Sequence, residues 1–361
     1  MLCAAGLAVG PAYAQDEAAY PRLDAEIGIE IQDDYVADSD DSDDSDAELN
    51  DLYTTTEPYF SFKATRQLSL EAGFVLEPVQ DPDPGDDRVF EDHGLYAEEL
   101  YVNYSGDGFD VYGGKFNPSF GTAWDIAPGI YGTDLAEDYE ITERIGAGGA
   151  LVFGEGGLGG EGFGTHRLAA NTFFADTTFL SESVITDRGE LDEADGGVSN
   201  TEDFSSFSVT LDGEGFSSAP IGYHLGVQHQ EAGVGDSDDQ TGFVAGLNGS
   251  FALGEDTAVE PLIEVAAFDG FDGGDEDRNY LTTGATVLHG PWNAAVSYTG
   301  RFTDAGGGND TDDGQIQLSA GYAFANGLTA DIGYKYVEEV EVDSHVIGVL
   351  LTYSLDFSVS G

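Results

Sequence analysis

Alternation of apolar and polar side chains, repeated along nearly the whole chain, constrains this sequence more than any motif does. A period of two places successive side chains on opposite faces of a strand. In 327–336, GLTADIGYKY, one face carries Leu328, Ala330, Ile332, Tyr334 and Tyr336, and the other Thr329, Asp331, Gly333 and Lys335. In 292–303 the apolar face is Trp292, Ala294, Val296, Tyr298, Gly300 and Phe302. Residues 315–324 and 68–76 repeat the pattern. About sixteen such segments can be delimited, near 23–35, 57–66, 68–77, 94–105, 109–116, 143–154, 164–177, 203–212, 220–231, 241–253, 257–268, 279–289, 291–303, 314–324, 327–337 and 344–357. Those at 109–116, 257–268 and 279–289 alternate poorly, and Pro261 weakens the second as a strand.

The joins carry a second alternation. Short ones at 66–67, 105–108, 154–163, 213–219, 254–256, 289–291 and 325–327 take turns with mostly longer, acidic ones at 36–56, 78–93, 117–142, 178–202, 232–240, 269–278, 304–313 and 338–343. Tight turns at one rim and extended loops at the other describe an up-and-down antiparallel barrel, which a β-sandwich has no reason to imitate. A barrel of about sixteen strands is too wide for side chains to fill, so its lumen holds water and its apolar face turns outward. Lipid is the natural medium for that face, and closure satisfies every backbone polar group there.

Composition agrees. Gly (51), Phe (22) and Tyr (18) are abundant, which favours strands and turns over helices. No apolar run is long enough for a membrane-spanning helix. The first residues, MLCAAGLAVGPAYA, end in Ala12-Tyr13-Ala14, so 1–14 reads as a cleaved signal peptide and 15–361 as one barrel domain. That chain has no cysteine, since Cys3 falls in the leader. The formal charge of −59 excludes nucleic acid as a partner. It also points to cations or to a saline habitat.

Taken together, the leader, the sixteen alternating segments, the short and long joins and the aromatic-rich final strand HVIGVLLTYSLDF resemble a Gram-negative general porin of the outer membrane. The stretch GGKFNPSFGTAW at 113–124 is similar to alphaproteobacterial porins. The resemblance implies short periplasmic turns, long acidic extracellular loops, a homotrimer and contact with membrane lipid and lipopolysaccharide. It implies passive diffusion of small hydrophilic solutes and ions, with no catalysis and no cofactor. Porins usually end on an aromatic residue, whereas here Ser358–Gly361 follow Phe357.

In the porin pattern the third long loop, after the fifth strand, folds into the barrel and narrows it. Residues 117–142 hold that position. Their carboxylates Asp125, Asp134, Glu137, Asp138 and Glu140 are then expected to face a basic wall of Lys63, Lys115, Arg144, Arg167, Arg301 and Lys335. Opposed acid and base rows would set up a transverse field. The competing reading is of isolated charges paired with near neighbours, which contribute little; Arg66, in a turn, suits it best. With so many carboxylates, cation preference is expected.

Other chemistry finds little support. The run 37–49 lacks the Gly and Glu that an EF-hand loop needs. No metal-ligand spacing joins the six histidines, and the Gly-rich 154–164 is followed by a strand and lacks a lysine. Three rivals stay open. One is a sugar-selective porin, with Tyr59, Tyr101 and Phe173 as its candidate aromatics. Another is a secreted, soluble, acidic β-rich protein of a halophile, carbohydrate-binding or hydrolytic. The last is a structural barrel with a plugged lumen.

Overall fold

The computed structural model describes residues 19–39, 48–82, 85–154, 158–159, 164–215, 220–306, 310–340 and 342–361. The leader 1–14 and most of the acidic run 37–49 lie outside them. Sixteen long strands are present among the described residues: β1 Arg22–Ser39, β2 Leu49–Lys63, β3 Leu68–Pro78, β4 His93–Gly106, β5 Phe109–Phe116, β6 Arg144–Gly154, β7 Thr165–Ala175 and β8 Ser206–Glu214 form the first half. The second half comprises β9 Ile221–Gln230, β10 Gln240–Gly249, β11 Thr257–Asp269, β12 Asp277–His289, β13 Trp292–Asp304, β14 Thr311–Ala323, β15 Thr329–Glu339 and β16 Val342–Ser360. Each pairs antiparallel with the next, and β1 closes on β16 from Arg22↔Ser360 to Ser39↔Ser344. The result is a closed antiparallel barrel, as the alternation predicts.

Its faces have the polarity of a membrane barrel. On β14 Ile316 and Leu318 are exposed outward, beside Tyr298 and Val296 of β13, while the alternating Gln315 and Gln317 are buried inside. The outward rows continue through Leu225, Phe243, Ile263, Val265, Ile332, Ile347 and Val349. A soluble protein would turn those rows inward, so the secreted soluble reading is set aside. No described helix is long and apolar enough to cross a membrane; the strands do so instead.

Boundaries differ from expectation at four places. Strand β2 begins at Leu49, well before residue 57, and pairs with β1 out to Val36. The join expected at 338–343 shrinks to 340–341, because β16 starts at Val342. The loop between β7 and β8 runs on to residue 205. The residues after Phe357 are part of β16, with Ser358, Val359 and Ser360 opposite Asp24, Leu23 and Arg22.

One strand edge requires a special device. Strand β5 stops at Phe116 and its chain turns into the lumen, which leaves the upper part of β4 without a neighbour. Val184 and Ile185, from the loop between β7 and β8, pair with Leu95 and Gly94 and cover that edge.

Candidate functional site

Residues 117–143 leave the barrel wall at β5 and return to it at β6. Asn117 ties the two ends: its amide group donates to Glu98 Oε1 (3.1 Å), and its side-chain oxygen accepts from the Glu143 N–H (2.8 Å). Between these ends lie a short helix, Ala123–Ile126, and a 3-10 turn, Asp134–Tyr139. Phe120, Ala123, Ala136, Tyr139 and Ile141 pack on Phe173, Val244, Leu262, Ala266, Phe268 and Tyr280 of the wall. Each large side chain so buried is worth about 1.5–3 kcal/mol, enough to hold a loop that would otherwise be mobile.

Polar contacts fix the loop in register. Glu264, on the inner face of β11, accepts from the Thr122 N–H (2.9 Å) and Oγ1 (2.7 Å), the Ala123 N–H (3.0 Å) and the Tyr139 hydroxyl (2.8 Å). The Gly121 N–H donates to His224 Nε2 (3.0 Å), so the ring proton sits on Nδ1, which donates to Asp212 (2.6 Å). At the loop tip Gln317 donates to the Pro128 carbonyl (2.6 Å) and Gln315 to that of Tyr131, whose hydroxyl donates to Asp34 (2.5 Å). The tip rests where Gly333 and Gly348 are paired across β15 and β16. A Cβ at Gly333 would come within 2.6 Å of the Ile130 side chain, so any other residue there would have to push Ile130 aside.

The eleven charged residues expected in the constriction are distributed unequally. Arg301 donates to Asp138 (2.8 Å) and also meets Asp313 and Glu339, while Lys335 donates to Asp134 (2.7 Å). Arg167, Lys63 and Asp125 line the open lumen, with Lys63 held 2.8 Å from Asp24. Arg144 donates to the Thr142 carbonyl (2.7 Å). Lys115 departs from expectation. It stands on the outward face of β5, opposite Leu100 and Ile145, and its fully buried ammonium meets Glu143 (2.8 Å), Asp176 (2.7 Å) and the Leu180 carbonyl. The strand DVYGGKF puts Tyr112, Gly114 and Phe116 inside, which forces Lys115 out. There it seals the gap above the short strand, together with Arg188, which donates to Glu143 and stacks on Tyr96.

The remaining loop carboxyls are held in a low-dielectric setting. Burial, followed by the charges of Glu98, Glu137, Asp125 and Glu57, pushes Glu140 up to about 8. Glu137, accepting from Thr133 Oγ1 (2.8 Å), is pushed up to about 7 by burial.

Beneath the loop lies a lumen cavity of about 1690 Å³ that reaches the short-turn rim at Arg66, Gln67 and Ser250. Ten carboxylates line it: Glu26, Glu57, Glu71, Glu98, Glu99, Asp110, Asp125, Asp212, Glu214 and Glu260. Four basic side chains oppose them, Arg22, Lys63, Arg66 and Arg167, and the first two are occupied by Asp24. Tyr59 and Tyr101 line the same space, whereas Phe173 is buried in the loop's apolar core.

Residues absent from the sequence-based site therefore do much of the positioning: Asp34, His224, Glu264, Gln315 and Gln317. The signal for Glu264 was a lone carboxylate between Ile263 and Val265, both outward-facing.

Comparison with known proteins gives a family and a set of structures. Residues 2–341 match the family model described as Gram-negative porin. Among curated proteins no sequence matches. The OmpF–daunomycin complex of Salmonella typhi is similar over 92% of this chain and 97% of its own, with a TM-score of 0.61 and 11% identity. A loop L8 deletion mutant of the Vibrio cholerae outer membrane protein OmpT covers 93% and 100%, with a TM-score of 0.58 and 13% identity. The outer membrane channel DcaP of Acinetobacter baumannii covers 92% and 97%, at 0.57 and 11%. At these identities the structural likeness concerns the fold.

Proposed function

The chain belongs to the Gram-negative porin family, whose barrels serve passive diffusion across the outer membrane, and from that premise we propose a water-filled channel for small hydrophilic solutes and ions that favours cations. The supporting observation is the charge left over once the loop is docked. Arg301 and Lys335 are tied to Asp138 and Asp134, and Lys115 is outside the lumen, so three of the six expected wall cations contribute little field to the opening. Asp125 on the loop then faces a wall that carries Glu57 and Glu98, joined by Glu137 and Glu140 as the pH rises, with Arg167 as the basic counterweight and Lys63 held by Asp24. A lumen lined by net negative charge concentrates cations and repels anions.

On this reading residues 1–14 direct export and are removed, and the acidic long loops reach lipopolysaccharide phosphates through divalent cations. Three copies associate, in line with the trimer form of OmpT from Vibrio cholerae among the similar structures. The test is the reversal potential of the refolded chain in a planar bilayer under a KCl gradient. Stepwise conductance with a potential towards that of K⁺ is expected. A potential towards Cl⁻ sinks the cation preference, and well-folded protein without conductance sinks the open channel.

A further inference from the structure

The lumen wall of β2–β5 carries a strip of rings. The hydroxyls of Tyr59 and Tyr101 are bonded to each other (3.1 Å). Tyr101 lies 6.0 Å from Tyr112 and 6.4 Å from Phe116, and Tyr112 lies 5.1 Å from Phe116, centroid to centroid. All four line the cavity, as does Trp124 on the loop above. Two carboxylates sit among the rings. Glu71 is directly opposite Tyr101 in the β3–β4 register, and Glu99 is two residues from Tyr101 on the same face of β4. Gly73, opposite Glu99 and Tyr59, keeps the wall low between them.

The tyrosine hydroxyls of this strip have partners within the protein. The Tyr112 hydroxyl donates to Asn171 (2.6 Å), so the three tyrosines offer a solute their ring faces more than their hydroxyls. Glu71 accepts from Ser61 Oγ (3.1 Å) and Glu99 from the Asn117 N–H (3.3 Å). Among the described residues neither is in an ion pair with a lysine or arginine. Arg167 stands at the far end, beside the Tyr112 hydroxyl. π faces next to carboxylates that lack a counter-ion suit a cation with an apolar flank, which gains from both at once. A neutral sugar would stack on the rings but leave the charge unanswered.

We infer that this strip, built on Tyr59, Tyr101, Tyr112, Glu71 and Glu99, is a binding station for organic cations, ammonium or quaternary ammonium groups carrying a ring or alkyl flank, on their way through the channel. The inference rests on the cation-favouring reading above.

The test uses the full refolded chain in planar bilayers. The KCl reversal potential is measured first, then the block of K⁺ current by phenyltrimethylammonium, tetramethylammonium, benzenesulfonate and sucrose. Phenyltrimethylammonium is expected to half-block at about fivefold lower concentration than tetramethylammonium, and benzenesulfonate to have little effect. Tyr59→Leu with Tyr101→Leu should abolish the difference between the two cations. Glu71→Gln with Glu99→Gln should weaken block by both. Equal block by the two cations in the unaltered chain, or stronger block by sucrose, overturns the station while a K⁺-directed potential keeps the channel reading intact. A potential not directed towards K⁺ defeats the channel reading separately, before any blocker is added.

Discussion

At the scale of single residues, Glu264 and Glu140 show two ways a carboxyl is used in a barrel lumen. Glu264 is fully buried but accepts four hydrogen bonds from the loop, so its charge is compensated and its removal frees a whole segment. Hydrogen bonds to a charged group are worth about 1.5–3 kcal/mol each, less where water can replace them. Glu264→Ala is therefore expected to loosen the loop, seen as proteolytic cleavage within 117–143 and as noisy, enlarged single-channel current. Glu140 has no such donors among the described residues, and burial, followed by the like charges around it, holds its proton up to about pH 8. A carboxyl raised in this way is neutral below that pH and gains charge as the pH climbs. Cation preference should accordingly increase between about pH 6 and 9, and Glu140→Gln should flatten the upper part of that rise in the reversal potential. Lys115 belongs to neither category. Its ammonium neutralises Glu143 and Asp176 above the short strand, and Lys115→Met strands the buried Asp176 while Glu143 keeps Arg188. That variant should lower the temperature at which the folded band is lost on an unheated gel, with ion selectivity unchanged.

At the scale of elements, alternation made nearly every strand legible, and its failures are informative. Strand β11 alternates poorly because Leu262, Ala266 and Phe268 face inward as Ile263 and Val265 face outward. A strand apolar on both faces is covered on both, here by lipid outside and by the docked loop inside. Irregular patterning at 257–268 thus marked the place where the loop lands. The early part of β2 was hidden for the opposite reason. Its outward positions include Thr54 and Thr56, opposite Ile31 and Ile29 of β1, so the expected apolar row is interrupted. The loop itself was legible from its length and position, but its partners were not. Asp34, Glu264 and Gln317 lie 97, 142 and 189 residues from the loop atoms they hold, and no local pattern records such distances. The glycine pair at 333 and 348 gives a direct probe of the element. Gly333→Val drives a side chain into Ile130 and should lift the loop tip, increasing single-channel conductance and weakening ion discrimination.

At the scale of the whole molecule, the apolar exterior, the polar interior and the folded-in loop are consequences of one closed sheet. The charge balance of the lumen follows from that closure, because docking brings loop acids to Arg301 and Lys335 and leaves the wall acids of β2–β4 facing the cavity. Removing the loop tip by deleting 128–138 should free Lys335 from Asp134, leave Arg301 with Asp313 and Glu339 only, widen the opening and shift the reversal potential towards Cl⁻.

The seam between β1 and β16 has a further consequence, for the order in which the molecule comes into being. It joins the first long strand to the sixteenth, Arg22 to Ser360, so the pairing of β16 with β1 is what completes the cylinder. Until that pairing forms, β1 and β16 each present a bare edge, the surface most prone to pair with the wrong neighbour. Biogenesis is therefore a race between closure and aggregation, and contacts of such sequence separation form late. Ser358, Val359 and Ser360 add three pairs to that seam: a chain lacking 358–361 should refold more slowly and in lower yield, while any cylinders that do close conduct as the unaltered chain does.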